Sequence, residues 1–217
     1  SGGNNLMEAW IAVTGFFYPD MEDEAVLFEL ASIRKDVWLE MNENLTALEL
    51  VRVFNQVFYQ IHGFSGNTED YHDPANSMIH KVLQSRKGNP LSLGMIYLHI
   101  AQSLDLPVVG INLPSHFVLA LKKEQSMNTG QPEYGKDLLF FINPFRQGSL
   151  FSHQDLMDYL VKQNIPPDPV YFQACSHMDM ILRLLNNLIA SLEKSGQAVH
   201  AEAMKDLQSL FEEDKED

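Results

Sequence analysis

Apolar residues recur along this chain at two spacings. Between about Glu24 and Asn42, Leu27, Leu30, Ile33, Val37, Trp38 and Met41 return every three or four positions, which predicts a helix with one apolar stripe and puts Trp38 in the core. Asp20, Glu22, Asp23 and Glu24 come just before it, where carboxylates oppose the positive end of the helix dipole; the acidic run reads as a solvated face. Met7 to Phe17 predicts an earlier helix, limited by Thr14-Gly15 and Pro19. Asn44 or Thr46 can cap a further helix reaching about Ile61, with Leu50, Val53, Phe54, Val57, Phe58 and Ile61 inward and Gly63 and Gly66 ending it. A loop around His72-Asp73-Pro74 precedes a short helix from about Ala75 to Ser85, with Met78, Ile79, Val82 and Leu83 on its face.

The most apolar stretch runs from Gly88 to Leu121. Asn89 is a favourable N-cap, and Pro90 suits the first helical position because its missing N–H would have no partner there. From Leu91 to Ala101 only Ser92, Gly94 and His99 interrupt apolar residues, so this helix is expected at the centre of a domain, buried nearly all round. Asp105-Leu106-Pro107 stops it. Val108 to Ile111 and Phe117 to Leu121 then read as strands joined by Leu113-Pro114-Ser115, with His116 just past the turn. Residues 122–136 are polar and contain Gly130, Pro132 and Gly135, a long connection to a third strand from Leu138 to Ile142 that Asn143-Pro144-Phe145 closes. Ser152 can cap a helix to about Gln163, with Leu156, Tyr159 and Leu160 inward. Two more helices are expected at about Pro169–Lys194 and Gln197–Glu213, joined by Ser195-Gly196, before a frayed acidic end. This last pair looks like one helical-hairpin repeat of the tetratricopeptide kind, with no second copy.

At 217 residues the chain has room for one large domain, read as a helical segment over 1–43, a core over 44–165 and a helical hairpin over 166–217, with Pro166 to Pro169 as linker. A net charge of −14 repels phosphate backbones and anionic lipid, so neither nucleic acid nor membrane is an expected partner. No apolar run reaches the roughly 18 residues of a membrane span, and the first residues lack a basic and apolar leader pattern. A cytoplasmic protein is expected, with a periplasmic or secreted mature form left open. Cys175 is the only cysteine, which excludes an intrachain disulfide and a cysteine metal site. His62, His72, His80, His99 and His116 show no metal-ligand spacing, and there is no phosphate-binding glycine loop, so neither metal nor cofactor is expected. Glu69, Asp70 and Asp73 around Tyr71 read as solvated carboxylates.

Central helix, two strands, long loop and third strand, with His116 opening the second strand and Asn143 closing the third, resemble the papain-like transglutaminase core. Tyr71, Pro74-Ala75-Asn76-Ser77, Arg86-Lys87-Gly88-Asn89-Pro90-Leu91-Ser92-Leu93, Pro114-Ser115-His116-Phe117 and Ile142 to Gly148 resemble, more narrowly, the SirB-type transglutaminase-like family. The resemblance implies an α+β fold: a buried central helix against a small antiparallel sheet, with helical segments at both ends. In active members of the superfamily a Cys at the start of the central helix is the nucleophile, a His is the base and an Asp or Asn orients it. His116 and Asn143 match the last two by position. The Cys would fall between Pro90 and Ser92, where there is none.

Three readings follow. Ser92 could replace the thiol, activated by His116 with Asn143 behind it, giving a serine-dependent hydrolase or acyltransferase. The cleft could bind a protein or peptide without chemistry, using Tyr71, Asn89 and Pro114 around it. Or Ser92 only caps its helix, His116 is a core histidine held by Asn143, and another surface binds the partner. The expected function is a non-catalytic protein- or peptide-binding member of the superfamily.

Overall fold

A computed structural model of the chain describes residues 3–123 and 137–213. The expected connection over 122–136 lies outside them from residue 124 onward, as does the acidic end from residue 214. Helices α1 (Gly3–Phe17), α2 (Asp23–Glu40) and α3 (Ala47–Asn55) lead into a π-helical turn at Gln56–Ile61. A two-residue strand β1 (Ser65–Gly66), a 3-10 turn at Pro74–Ser77, α4 (Ile79–Ser85) and a second short strand β2 (Lys87–Gly88) bring the chain to the central helix α5 (Pro90–Ser103). Strands β3 (Val108–Leu113), β4 (His116–Lys122), β5 (Leu138–Asn143) and β6 (Ser149–Phe151) follow, then α6 (His153–Lys162), a 3-10 turn at Pro169–Phe172, and helices α7 (His177–Lys194) and α8 (Ala198–Glu213). The architecture is α+β, as the resemblance implies.

Helix α5 is buried from Pro90 through Leu98 and again at Ile100 and Ala101, so it has no solvent face over most of its length. It lies on an antiparallel sheet of order β3-β4-β5-β6. The two-residue period of β4 divides its side chains: Phe117, Leu119 and Leu121 pack with α5, whereas Val118 and Ala120 join Ile111, Phe141, Leu156, Leu160 and Phe172 under α6. Gly94 allows the close approach of helix to sheet, since a Cβ there would lie 2.7 Å from Cε1 of Phe117. Leu113 pairs with His116, so Pro114-Ser115 is a two-residue turn, and Ser115 takes the left-handed region at φ 56.

Four expectations change. The buried stripe of α2 is Val26, Leu30, Ile33 and Val37, one residue out of step with the predicted Leu27 and Trp38, which are 48% and 62% exposed. Each exposed residue adjoins a buried one, and only the rotation of the whole helix decides between them. Past Phe58 the π-helical turn widens the helix, so Tyr59 turns inward and Ile61 is 61% exposed. The helix expected from Pro169 begins at His177: Ser176 and Asp179 form a reciprocal capping box, and the prolines before it support only a 3-10 turn. The short helix expected from Ala75 begins at Ile79, after the 3-10 turn at Pro74–Ser77.

The outer helices share the central core. Buried Trp10 of α1 donates its indole N–H to the Ser77 carbonyl at 2.7 Å. Met180, Ile181, Leu184, Leu185, Leu188 and Leu192 of α7 pack in the same apolar cluster as α5. Among the described residues no helix is long and apolar enough to cross a membrane.

Candidate functional site

The start of α5 is closed by its own side chains. Asn89 Oδ1 accepts from the Ser92 amide at 2.9 Å, and Ser92 Oγ accepts from the Asn89 amide at 2.9 Å, a reciprocal capping box. The Ser92 hydroxyl donates to the Asn89 carbonyl at 3.2 Å, and Asn89 Nδ2 donates to Ser77 Oγ at 2.9 Å. Ser92 is fully buried, and a Cβ on Gly88 would lie 2.6 Å from its hydroxyl oxygen. Every hydrogen-bonding atom of that side chain serves the cap.

His116 and Asn143 meet across the sheet. Asn143 Oδ1 accepts from the amides of Phe145 and Arg146 at 3.1 and 3.2 Å, capping the turn that follows β5. Those two bonds fix the amide so that its NH2 faces His116 Nε2 at 3.4 Å. Nε2 is then the acceptor, and the neutral ring carries its proton on Nδ1. Burial, then the charges of Arg183 and Arg146, lower the His116 pKa below its ordinary value of 6.5. The imidazole is therefore neutral near pH 7, and the only nitrogen with a free lone pair is engaged by Asn143.

A cleft of about 220 Å³ opens beside this pair, lined by Tyr71, Asn89, Pro90, Leu91, His116 and Arg183 among others. Ser92 is not in its wall. A second groove adjoins it and shares Ser115 and Arg183; the predicted Pro114 lies there, as does Cys175. Burial, with Asp179 nearby, pushes the Cys175 thiol up to about 12, so it is protonated and unreactive near neutral pH. No group of His, Cys, Asp and Glu among the described residues could hold a metal ion.

Arg183 was not legible as a site residue. Its guanidinium reaches the cleft from α7, where its Nη1 donates to Asn112 Oδ1 and, at 2.7 Å, to the Leu113 carbonyl. One signal was available: a lone Arg inside Met-Ile-Leu-Arg-Leu-Leu, where Arg183, Asn187 and Ala190 follow at helical spacing, and all three line the cleft.

The family model of the transglutaminase-like superfamily matches residues 24–186, a span that contains Ser92, His116, Asn143 and Arg183. A UPF0162 protein of Vibrio cholerae is 30% identical over 209 residues, which cover 95% of this chain and 73% of that protein. The UPF0162 protein YchA of Escherichia coli K12 is 29% identical over 182 residues, covering 82% of this chain and 61% of its own length. F-box only protein 21 of Homo sapiens is 25% identical over 164 residues, covering 75% of this chain and 25% of that much longer protein. No solved structure matches the chain.

Proposed function

The chain belongs to the transglutaminase-like superfamily, and from that premise we propose that it binds a protein or peptide segment in the cleft beside His116 and carries out no acyl transfer. The observation that carries this reading is the wall of the cleft at the start of α5. Pro90 and Leu91 are there, and neither has a nucleophile, while the Ser92 hydroxyl is buried and capping. The tautomer of His116 supports it further, because a ring with its proton on Nδ1 and Nε2 turned to Asn143 has no base to offer a hydroxyl. The shape fits an extended chain: cleft and groove run into each other through Ser115 and Arg183, with Tyr71 and Tyr171 among the lining side chains. On the motifs from Tyr71 to Phe117 we also infer membership of the SirB-type branch, and we read α7 and α8 as its tetratricopeptide-like appendage.

Two measurements test the reading. A serine-directed fluorophosphonate probe should leave Ser92 unlabelled. Selection from a displayed random-peptide library should yield binders that Ala190→Trp, a change at an exposed rim position of the cleft, no longer retains while its melting temperature stays that of the parent. Labelling of Ser92 that His116→Ala abolishes would instead establish a serine enzyme. Binders indifferent to Ala190→Trp would move the interaction to another surface.

A further inference from the structure

Arg183 is the only Lys or Arg in the wall of the cleft among the described residues. It is half-buried, and its position is fixed at one end only: both hydrogen bonds it makes leave from Nη1, to Asn112 and to the Leu113 carbonyl. Nη2 and Nε carry three further N–H groups, for which the described residues supply no acceptor. The ion pairs among the described residues do not include Arg183. Two carboxylates line the same two cavities as Arg183. Asp73, in the same wall, accepts from the Ala75 amide at 2.8 Å, and Asp179, one turn back along α7, accepts from the amide and hydroxyl of Ser176. A partly buried guanidinium without a counter-charge is unfavourable, and Arg183 lines both the cleft and the adjoining groove.

We propose that Arg183 is the recognition residue for a carboxylate of the bound segment, taken fork to fork on its Nη2–Nε edge. This deepens the peptide-binding reading and rests on it for the class of ligand. The planar free edge matches two carboxylate oxygens in one plane, and it supplies a single positive charge. A phosphate dianion asks for more: among the described residues the rest of the wall supplies no Lys or Arg and adds the carboxylate of Asp73, His116 is uncharged near pH 7, and the chain as a whole carries −14. Ser115 and Asn187 line the same cavity and offer neutral hydrogen bonds to the remaining lone pairs. The carboxylate has two possible sources in a peptide, its C-terminus or an Asp or Glu side chain.

The test is an NMR titration of the full chain with isotope-labelled arginine, following the Arg183 Nε–H signal at constant ionic strength. N-acetylglycine presents a terminal carboxylate, the α-amide of N-acetylglutamate a side-chain carboxylate, and N-acetylglycinamide neither; inorganic phosphate is the competing anion. Saturable millimolar shifts with one or both carboxylates, and none with the neutral amide, are expected, and the tighter of the two assigns the source. Arg183→Lys keeps a charge but loses the fork, so it should weaken the tighter carboxylate by about tenfold; Arg183→Met should abolish binding. Arg183→Met also removes the anchor on β3, so the signal of Arg183 itself and the Lys variant decide the matter if it does not fold. The proposal is overturned if no carboxylate saturates, if phosphate or the neutral amide gives the same shifts, or if Arg183→Lys titrates as the parent does. Failure of the underlying reading looks different: carboxylates would saturate while the peptide library yields no cleft binder. Selected binders that hold equally well as C-terminal amides and contain no Asp or Glu would keep the peptide cleft and remove the carboxylate.

Discussion

Replacing Asn143 by Asp exchanges an NH2 for an oxygen where the direction of one hydrogen bond sets the protonation of a histidine. One carboxylate oxygen can keep accepting from the Phe145 and Arg146 amides, as Oδ1 does now, while the other faces His116 Nε2 at the present 3.4 Å. The ring must then carry its proton on Nε2, and its charged form gains a partner. At that separation and an effective dielectric constant of 20 the attraction between the two charges is about 5 kcal/mol. That is a ceiling for a partly buried ring, and with solvent screening a smaller rise in the His116 pKa is expected.

The effect on stability has a definite sign. In the parent the folded pKa lies below 6.5, so between that value and 6.5 the unfolded chain takes up a proton that the folded chain refuses. The stability due to His116 is therefore fully present above pH 6.5 and is lost as pH falls toward the folded value. In the Asp variant this acid loss should shrink or reverse. Imidazole nitrogen shifts report the tautomer, the ring proton signal reports the pKa, and denaturant unfolding on either side of pH 6.5 reports the linkage. A parent ring protonated on Nε2, or a His116 pKa that does not rise in the variant, refutes the reasoning.

Ser92→Ala leaves the buried Asn89 amide without its acceptor and should cost about 1–3 kcal/mol in denaturant unfolding; unchanged stability would show that the capping box contributes nothing. Gly94→Ala forces the Phe117 ring away from the central helix and should cost about 1–3 kcal/mol by the same measurement. Trp38→Glu, at a position 62% exposed, should change stability by no more than about 0.5 kcal/mol, and a loss of several times that would mean that Trp38 is packed after all.

The central helix was legible because Asn89 and Pro90 mark its start and a run of apolar residues broken only by Ser92, Gly94 and His99 marks its depth, and the strands because Val108 to Ile111 and Phe117 to Leu121 are apolar segments on either side of a turn. His116 and Asn143 were placed by the family layout, and the structure brings their side chains together. The rotation of α2 was not legible, since Val26 and Leu27, or Val37 and Trp38, are equally apolar and only tertiary packing chooses between them. The π-helical turn after Asn55 has no local signal and changes which of Tyr59 and Ile61 faces inward. Ser92 was readable as cap or nucleophile, and distances alone separate these roles. Arg183 lies beyond the strands it serves, and the sequence holds no trace of the hydrogen bonds that carry it to Asn112.

That separation bears on how the molecule is made. Asn112 leaves the ribosome 71 residues ahead of Arg183, so the sheet edge and the central helix are synthesised well before α7 can close the cleft. Until then the apolar seam that Met180, Leu184 and Leu188 later cover stays open to solvent. During synthesis the interval between β3 and α7 is thus the one in which chaperones have most to shield.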